Sequence, residues 1–353
     1  CRKEASKVLK IMSRFVILAI DSFDYIENKT GNMLIRYRTD EVVAVIDPSK
    51  KGLHSQDVIG VGGKIPVVSS FNESKKYDPD TLVVGNAPQG GIISEEMKTE
   101  IISALHFGVK IISGMHDFLS NDKKLMKIAK KNRTEILDLR KPPSPPHFPK
   151  GTWKDRKTPV LLVVGSDCDS GKMTTAWEIK KRLQAENKNV EFIGTGQTGI
   201  LLSGGVAVDA VVADFMAGEI EHLIDKNIKD DTDLVVVEGQ GSITNYAYSG
   251  VTLGLLHGCM PDYLILTHDI SREKDVMNHD LPELGSFMKL HIDLMAPFKN
   301  TTFLGINLLT YNKNEEEARK QVNYFQTNYD LPTTDLIRFG NRDLIGAIKD
   351  AIK

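Results

Sequence analysis

The stretch from Gly165 to Thr175, reading Gly-Ser-Asp-Cys-Asp-Ser-Gly-Lys-Met-Thr-Thr, constrains this chain more than any other. Residues 159–164, Pro-Val-Leu-Leu-Val-Val, precede it and read as a buried parallel strand. Residues 176–183 follow with the spacing of a helix. Strand, glycine-bounded loop, Lys-x-Thr and helix together form the context of a phosphate-binding loop (P-loop). Its backbone N–H groups and the helix N-terminus converge on an anion, and Lys172 adds a point charge.

The departures from the common pattern are informative. Five residues separate Gly165 from Gly171, where the usual spacing is four. Met173 stands where a Ser or Thr hydroxyl would reach Mg²⁺, and Thr174 comes one place later. Asp167 and Asp169 would oppose a polyphosphate unless they turn away or hold a cation. Phosphate binding is therefore indicated more strongly than Mg²⁺-dependent nucleotide hydrolysis. The ligand-contacting set expected here is Gly165, Asp167, Gly171, Lys172, Met173, Thr174 and Thr175. Gln197, in the small polar loop 194–199 after a strand at 190–193, joins it if the two strands are neighbours.

Residues 233–242, Asp-Leu-Val-Val-Val-Glu-Gly-Gln-Gly-Ser, form the second strong element. An apolar strand ending in an acid places Glu238 beside the phosphate loop to hold Mg²⁺ or a water; the alternative is a capping or turn acid. Residues 262–267 predict another buried strand, with His268, Asp269 and Arg272 at its carboxyl end. That group suits acid–base work or carboxylate binding, or else belongs to a surface loop. Tyr248 and Ser249 are candidates to line a substrate site, and His257 reads as structural. A strand at 302–306 ends at Asn307, and helices are expected at 315–324 and 341–352.

The first part of the chain also alternates strands with helices. Strands are expected at 15–20, 41–46, 82–85 and 109–112. A helix at 94–107 has Ser94 as N-cap and Gly108 as stop. Such alternation implies a parallel sheet with ligands at the strand carboxyl ends. The loops there, 86–91 and 113–117 with His116 and Asp117, are suggestive. No Gly-x-Gly-x-x-Gly follows the first strand, so dinucleotide binding is not indicated. Asp47 reads as a turn residue before Pro48.

Five prolines lie within residues 141–149, which excludes helix and central strand there. This marks an extended linker at 141–157 between a domain at 1–140 and a second at 158–353. A chain of 353 residues is long enough for two cores. A net charge of −2 gives no reason to expect nucleic acid or an anionic membrane as partner. No stretch is apolar and long enough to span a bilayer, and the start lacks signal-peptide architecture, with Met12 reading as a natural start. Cys1, Cys168 and Cys259 make neither a disulfide framework nor a metal cluster, which fits a reducing cytoplasm.

The segments 165–175, 196–199, 214–219, 238–242 and 248–257 resemble the DgcN-like family, long catalogued as a P-loop domain of unknown function. Residues 90–91, 113–117 and 138–143 fit it too, so the resemblance covers nearly the whole chain. It implies an α/β fold with a Rossmann-like N-terminal domain and a P-loop NTPase-like C-terminal domain, both with mainly parallel sheets. It also implies N-acetylation of D-glutamate with acetyl-CoA, in a D-amino-acid catabolic route. The second domain is more distantly similar to dethiobiotin synthetase, an ATP- and Mg²⁺-using ligase. Both comparisons carry over Lys172, Thr174, Asp214 and Glu238.

Three functions follow as expectations. The first is an N-acyltransferase whose phosphate loop holds acetyl-CoA without catalytic Mg²⁺. Glu238, His268 or His257 would take a proton from the acceptor amine, and Arg272 would hold a substrate carboxylate. The second is an ATP-dependent ligase or kinase with Mg²⁺ on Thr174, Asp214 and Glu238. The third is a nucleotide-binding protein without turnover. The resemblance favours the first, acting on a small molecule with amine and carboxylate groups, as a homo-oligomer.

Overall fold

The computed structural model describes residues 13–25, 27–86, 93–340 and 342–353. Cys1, Met12 and Gly90–Gly91 lie outside the described residues. The chain divides into two compact units, Cys1–Lys141 and Pro142–Lys353.

In the first unit the elements run β1 (Phe15–Leu18), α1 (Lys29–Tyr37), β2 (Val42–Ile46), α2 (Ser55–Ile59), β3 (Val67–Val68), α3 (Phe71–Ser74), β4 (Thr81–Val84), α4 (Glu95–Phe107), β5 (Lys110–Ser113), α5 (Lys123–Lys131) and β6 (Ile136–Asp138). All pairings are parallel, in the order β3-β2-β1-β4-β5-β6. This is the Rossmann order, whose direction reverses between β1 and β4. Every residue of β1 and β4 is buried, as a strand covered on both faces requires. Ser94 caps α4 by accepting from the Met97 N–H at 3.2 Å, and Gly108 ends it at φ +86°. Asp47 is fully buried. One of its oxygens accepts from the Ser49 N–H and hydroxyl, and the other from the Phe23 N–H. It thus ties two loops together. His116 and Asp117 are exposed.

The second unit runs β7 (Val160–Gly165), α6 (Lys172–Ala185), β8 (Val190–Ile193), α7 (Gln197–Ser203), α8 (Ala213–Asn227), β9 (Leu234–Val237), α9 (Ser249–Cys259), β10 (Tyr263–Asp269), α10 (Leu284–Met295), β11 (Thr302–Leu309), α11 (Glu315–Tyr329), β12 (Thr333–Thr334) and α12 (Arg342–Ala351). Its sheet is also parallel throughout, in the order β12-β11-β10-β7-β9-β8. The strand that feeds the phosphate loop, β7, is central, and all six of its residues are buried. Its neighbours β9 and β10 therefore deliver the loops on either side.

Two strands run longer than the sequence predicts. β10 continues through His268 and Asp269, and β11 through Leu309, because the two go on pairing as His268↔Leu308 and Asp269↔Leu309. Backbone ladder bonds are indifferent to the polar side chains that end an apolar run. His268, Asp269 and Asn307 consequently sit on strand, not in loop.

The proline-rich segment is not a free extended linker but is fastened to α8. Glu219 accepts from the His147 N–H and its Nδ1. Glu221 accepts from the Lys150 N–H at 2.6 Å and the Gly151 N–H at 2.8 Å. A Cβ on Gly218 would lie 2.3 Å from the His147 carbonyl oxygen, so only glycine lets the segment lie this close. Proline chains leave backbone groups unpaired, and the two buried glutamates of α8 supply the acceptors.

Candidate functional site

The phosphate loop opens at Gly165. A Cβ there would fall 2.1 Å from Ser170 Oγ and 2.9 Å from Lys172 Cγ, so its absence lets the lysine stem cross the strand end. Gly171, at φ +84°, turns the chain into α6, whose first turn has N–H groups with no helical acceptor. Lys172 Nζ donates to the Asp167 carbonyl at 2.6 Å. Only 8% of the residue is exposed, and burial pushes its ammonium below the ordinary lysine range. Cys168, in the same loop, is pushed up to about 11, chiefly by burial. It stays a thiol at neutral pH, which disfavours it as an acyl-carrying thiolate.

Asp167 resolves the charge problem of the loop. Its carboxylate is 1% exposed and turned inward. It accepts from Asn245 Nδ2 at 3.0 Å, from the Val276 N–H at 2.7 Å and from the Arg272 guanidinium. Arg272 Nη1 also donates to the Cys168 carbonyl at 2.7 Å. Arg272 therefore clasps the phosphate loop, and two of its donors are spent there. Asn245 Nδ2 reaches Asp275 as well, at 3.3 Å, so the segment after β10 is laced to the loop.

Glu238 stands on the other flank, at the end of β9, and is 3% exposed. One of its oxygens accepts from the Thr195 and Gly196 N–H groups at 2.9 and 3.1 Å, and the other from Gln240 Nε2 at 3.2 Å. A Cβ on Gly199 would lie 2.1 Å from that carboxylate, and one on Gly239 would lie 1.8 Å from the Val163 carbonyl. The glycines of 194–199 and 239 thus let the β8 and β9 loops close on each other beside β7. Gln197, 8% exposed, begins α7 inside this loop.

The Mg²⁺ set expected from sequence is dispersed in role. Asp214 is exposed on the first turn of α8. The Glu238 oxygens are occupied as above, and Met173 offers a thioether that a hard cation avoids. Thr175, two places past Met173, is buried and receives Asn307 Nδ2 at 2.8 Å. Among the described residues no group of three or more His, Cys, Asp or Glu is arranged to hold a metal ion.

His268 is 9% exposed and its Nδ1 lies 2.9 Å from Ser166 Oγ. Burial holds it down to about 4, Arg272 adding to the depression while Asp269 opposes it. His291, between Phe287 and Phe303 in the core, is held to about 4 by the same cause. An unfolded histidine titrates near 6.5. Between about 4 and 6.5 the unfolded chain binds protons that the folded chain refuses, so stability falls as pH drops through this window. The gap is worth up to about 3 kcal/mol per histidine. Unfolding free energy measured from pH 7 down to 4.5 should decline steeply, and His291→Leu should make the decline shallower. An unchanged slope in that variant would contradict the assignment.

Tyr248, 43% exposed, precedes α9, whose first residue is Ser249. His257 meets Phe298 edge-on at 5.1 Å, and burial lowers it. Sequence reasoning missed Asn245 and Ser166, whose partners are distant in the chain. The only local signal was their place in polar, small-residue segments next to Glu238 and Gly165.

Comparison with known proteins follows the same division. Residues 147–345 match a family described as a domain of unknown function, DUF1611, P-loop domain, and residues 48–142 match its Rossmann-like N-terminal counterpart. The chain belongs to this family. It is similar to a D-glutamate N-acetyltransferase of Tritonibacter scottomollicae, 37% identical over 283 residues, covering 79% of this chain and 84% of the relative. A protein of the same name from a Pseudoalteromonas species is 35% identical over 276 residues, covering 77% and 82%. The crystal structure of a DUF1611 family protein from Anabaena variabilis superposes with a TM-score of 0.90 at 31% identity, covering 96% of this chain and 99% of that one. Among the described residues no helix is long and apolar enough to cross a membrane.

Proposed function

We propose that this chain is an N-acetyltransferase that moves the acetyl group of acetyl-CoA to the amine of an amino acid resembling D-glutamate. The observation that carries the reading is a phosphate cradle with a lysine but a thioether at the metal position. The two relatives named D-glutamate N-acetyltransferase support it. Coenzyme A brings a pyrophosphate and a 3′-phosphate, which such a loop can hold without a divalent cation, and its thioester supplies the acetyl group. Lys172 and the first turn of α6 would bind phosphate, with Gly165, Gly171, Thr174, Thr175 and Gln197 around it. Asp167 would position the loop through Arg272 and not touch the anion. The acceptor amine must be neutral to attack, and the uncharged imidazole of His268 is the group assigned to take its proton. Glu238 is less suited, because its oxygens already accept from the Thr195 and Gly196 N–H groups and from Gln240. No step runs through Mg²⁺. A cytoplasmic homo-oligomer acting on a small molecule completes the reading.

The test is thiol release from acetyl-CoA with a panel of D- and L-amino acids, with and without ATP and Mg²⁺. Release that needs an amino acid and not ATP is expected. ATP consumption dependent on a carboxylate or amine, without thiol release, would overturn the reading and favour a ligase.

A further inference from the structure

The register of the second sheet places a serine and a histidine side by side. Gly165 of β7 pairs with Thr267 of β10, so the residues that follow them, Ser166 and His268, are neighbours at the carboxyl ends of the two strands. Ser166 is 2% exposed and His268 9%. The main chain of Ser166 is held at both ends. Its N–H donates to the Thr267 carbonyl at 3.0 Å, and its carbonyl accepts from Ser242 Oγ at 3.0 Å. The main chain of His268 is held by the pairing of β10 with β11. The 2.9 Å contact between Ser166 Oγ and His268 Nδ1 therefore joins two fixed backbones.

The charged groups that act on the ring are bonded to other partners. Asp269 accepts from the Ser271 N–H and hydroxyl and from the Tyr311 hydroxyl. Arg272 donates to Asp167 and to the Cys168 carbonyl. From α11 the ring meets Phe325, at 5.7 Å between centroids. A hydroxyl, and not a carboxylate, is thus the group that orients this imidazole. A carboxylate in that place would favour the charged ring, whereas a hydroxyl adds no charge. A hydroxyl can also donate or accept, and the two cases give His268 opposite chemistry. If Ser166 donates, Nδ1 is capped, Nε2 carries the ring hydrogen, and no nitrogen is left to accept. If Ser166 Oγ accepts the Nδ1–H, Nε2 keeps its lone pair. A proton taken at Nε2 then makes an imidazolium whose Nδ1–H donates more strongly to the same oxygen.

We propose that Ser166 is the positioning residue of His268: its Oγ accepts the Nδ1–H and so leaves Nε2 as the nitrogen that takes a proton. The proposal rests on the acetyltransferase reading above, in which His268 is the base. The full chain carrying ¹⁵N-labelled histidine tests it, because the nitrogen shifts report which ring nitrogen is protonated. At pH 7 the His268 signals, identified by their loss in His268→Gln, should show Nδ1 protonated and Nε2 not. Ser166→Ala should move them toward the opposite tautomer. The same variant should lower kcat for thiol release about tenfold, as loss of a hydrogen bond to a charged group does, with KM for acetyl-CoA unchanged. A merely structural part for Ser166 in the phosphate loop would instead raise KM and leave the tautomer alone. An unprotonated Nδ1 in the parent, or parent-like signals and kcat in Ser166→Ala, would overturn the proposal. Should Ser166→Ala fail to fold, the tautomer of the parent decides. The two readings fail separately. Thiol release by a parent whose His268 Nδ1 is unprotonated leaves the acetyltransferase standing without this role for Ser166. A protonated Nδ1 that depends on Ser166, without any thiol release, leaves the hydrogen bond standing without the acetyltransferase.

Discussion

If the loop holds acetyl-CoA as proposed, Lys172→Met should remove about half or more of the stabilisation the coenzyme confers, while the ligand-free protein unfolds at an equal or higher temperature than the parent. The two halves of this expectation have one cause. Burial lowers the Lys172 ammonium below its ordinary value. The folded chain thus holds that proton more weakly than the unfolded chain does, and stability is lost as pH falls from about 10.5 into the depressed range. In the folded chain Nζ has the Asp167 carbonyl at 2.6 Å and Ser170 Oγ at 3.5 Å as partners, and burial makes its charge unfavourable. A phosphate would add counter-charge to that of Asp169, Asp167 and Glu238. Methionine has a similar reach without the charge, so the cost of burying the charge disappears together with much of the affinity. A hydrogen bond to a charged group contributes about 1.5–3 kcal/mol, which is roughly one to two orders of magnitude in affinity. In the parent, coenzyme at a hundred times its dissociation constant adds about 2.7 kcal/mol. Thermal melts of both proteins across a coenzyme titration test this. A coenzyme-dependent shift of the parent's full size in the variant would remove Lys172 from the site.

Asp167→Ala should destabilise the second unit by about 3–5 kcal/mol, the largest single effect expected for a residue near the site. The change strands three donors at once: Asn245 Nδ2, the Val276 N–H and one end of Arg272. Arg272→Ala should cost less, because the Asp167 carboxylate keeps two of its donors. The double variant should fall short of the sum, with a coupling above about 1 kcal/mol, as contacting charges in one network do. Urea unfolding followed by tryptophan fluorescence suits the measurement, since both tryptophans, Trp153 and Trp177, lie in the second unit. Strict additivity would mean that the clasp contributes nothing as a pair.

These two residues also show what the sequence made legible. The phosphate loop, β9 and the capped helix α4 could be read directly, because each is announced by signals within a dozen residues. So could the parallel α/β class, since apolar runs alternating with helices leave few other arrangements. β3 and β12 could not be read, being two residues long with no run to recognise. Nor could the roles of Asp167 and Glu238. Asp167 reads locally as a charge facing a phosphate, yet its partners stand 78, 105 and 109 residues away. Glu238 reads as a metal ligand, yet its backbone partners lie on the loop after β8. Arg272 reads as a holder of a substrate carboxylate, yet two of its donors go to Asp167 and the Cys168 carbonyl. In each case the strand order brings the partners together, and that order is not written in any local pattern.

The glycines described above carry a consequence for how this protein can vary. At Gly199, Gly218 and Gly239 a single added carbon would strike a buried carboxylate or a main-chain oxygen at 1.8–2.3 Å. At Gly218 and Gly239 the obstacle is main chain, and at Gly199 it is a carboxylate held by the Thr195 and Gly196 N–H groups. In a saturation library these three positions, on α7, on α8 and just after β9, should tolerate glycine alone, a result visible before any assay of chemistry. Divergence within the family should therefore leave these three positions untouched and fall on the side chains around them.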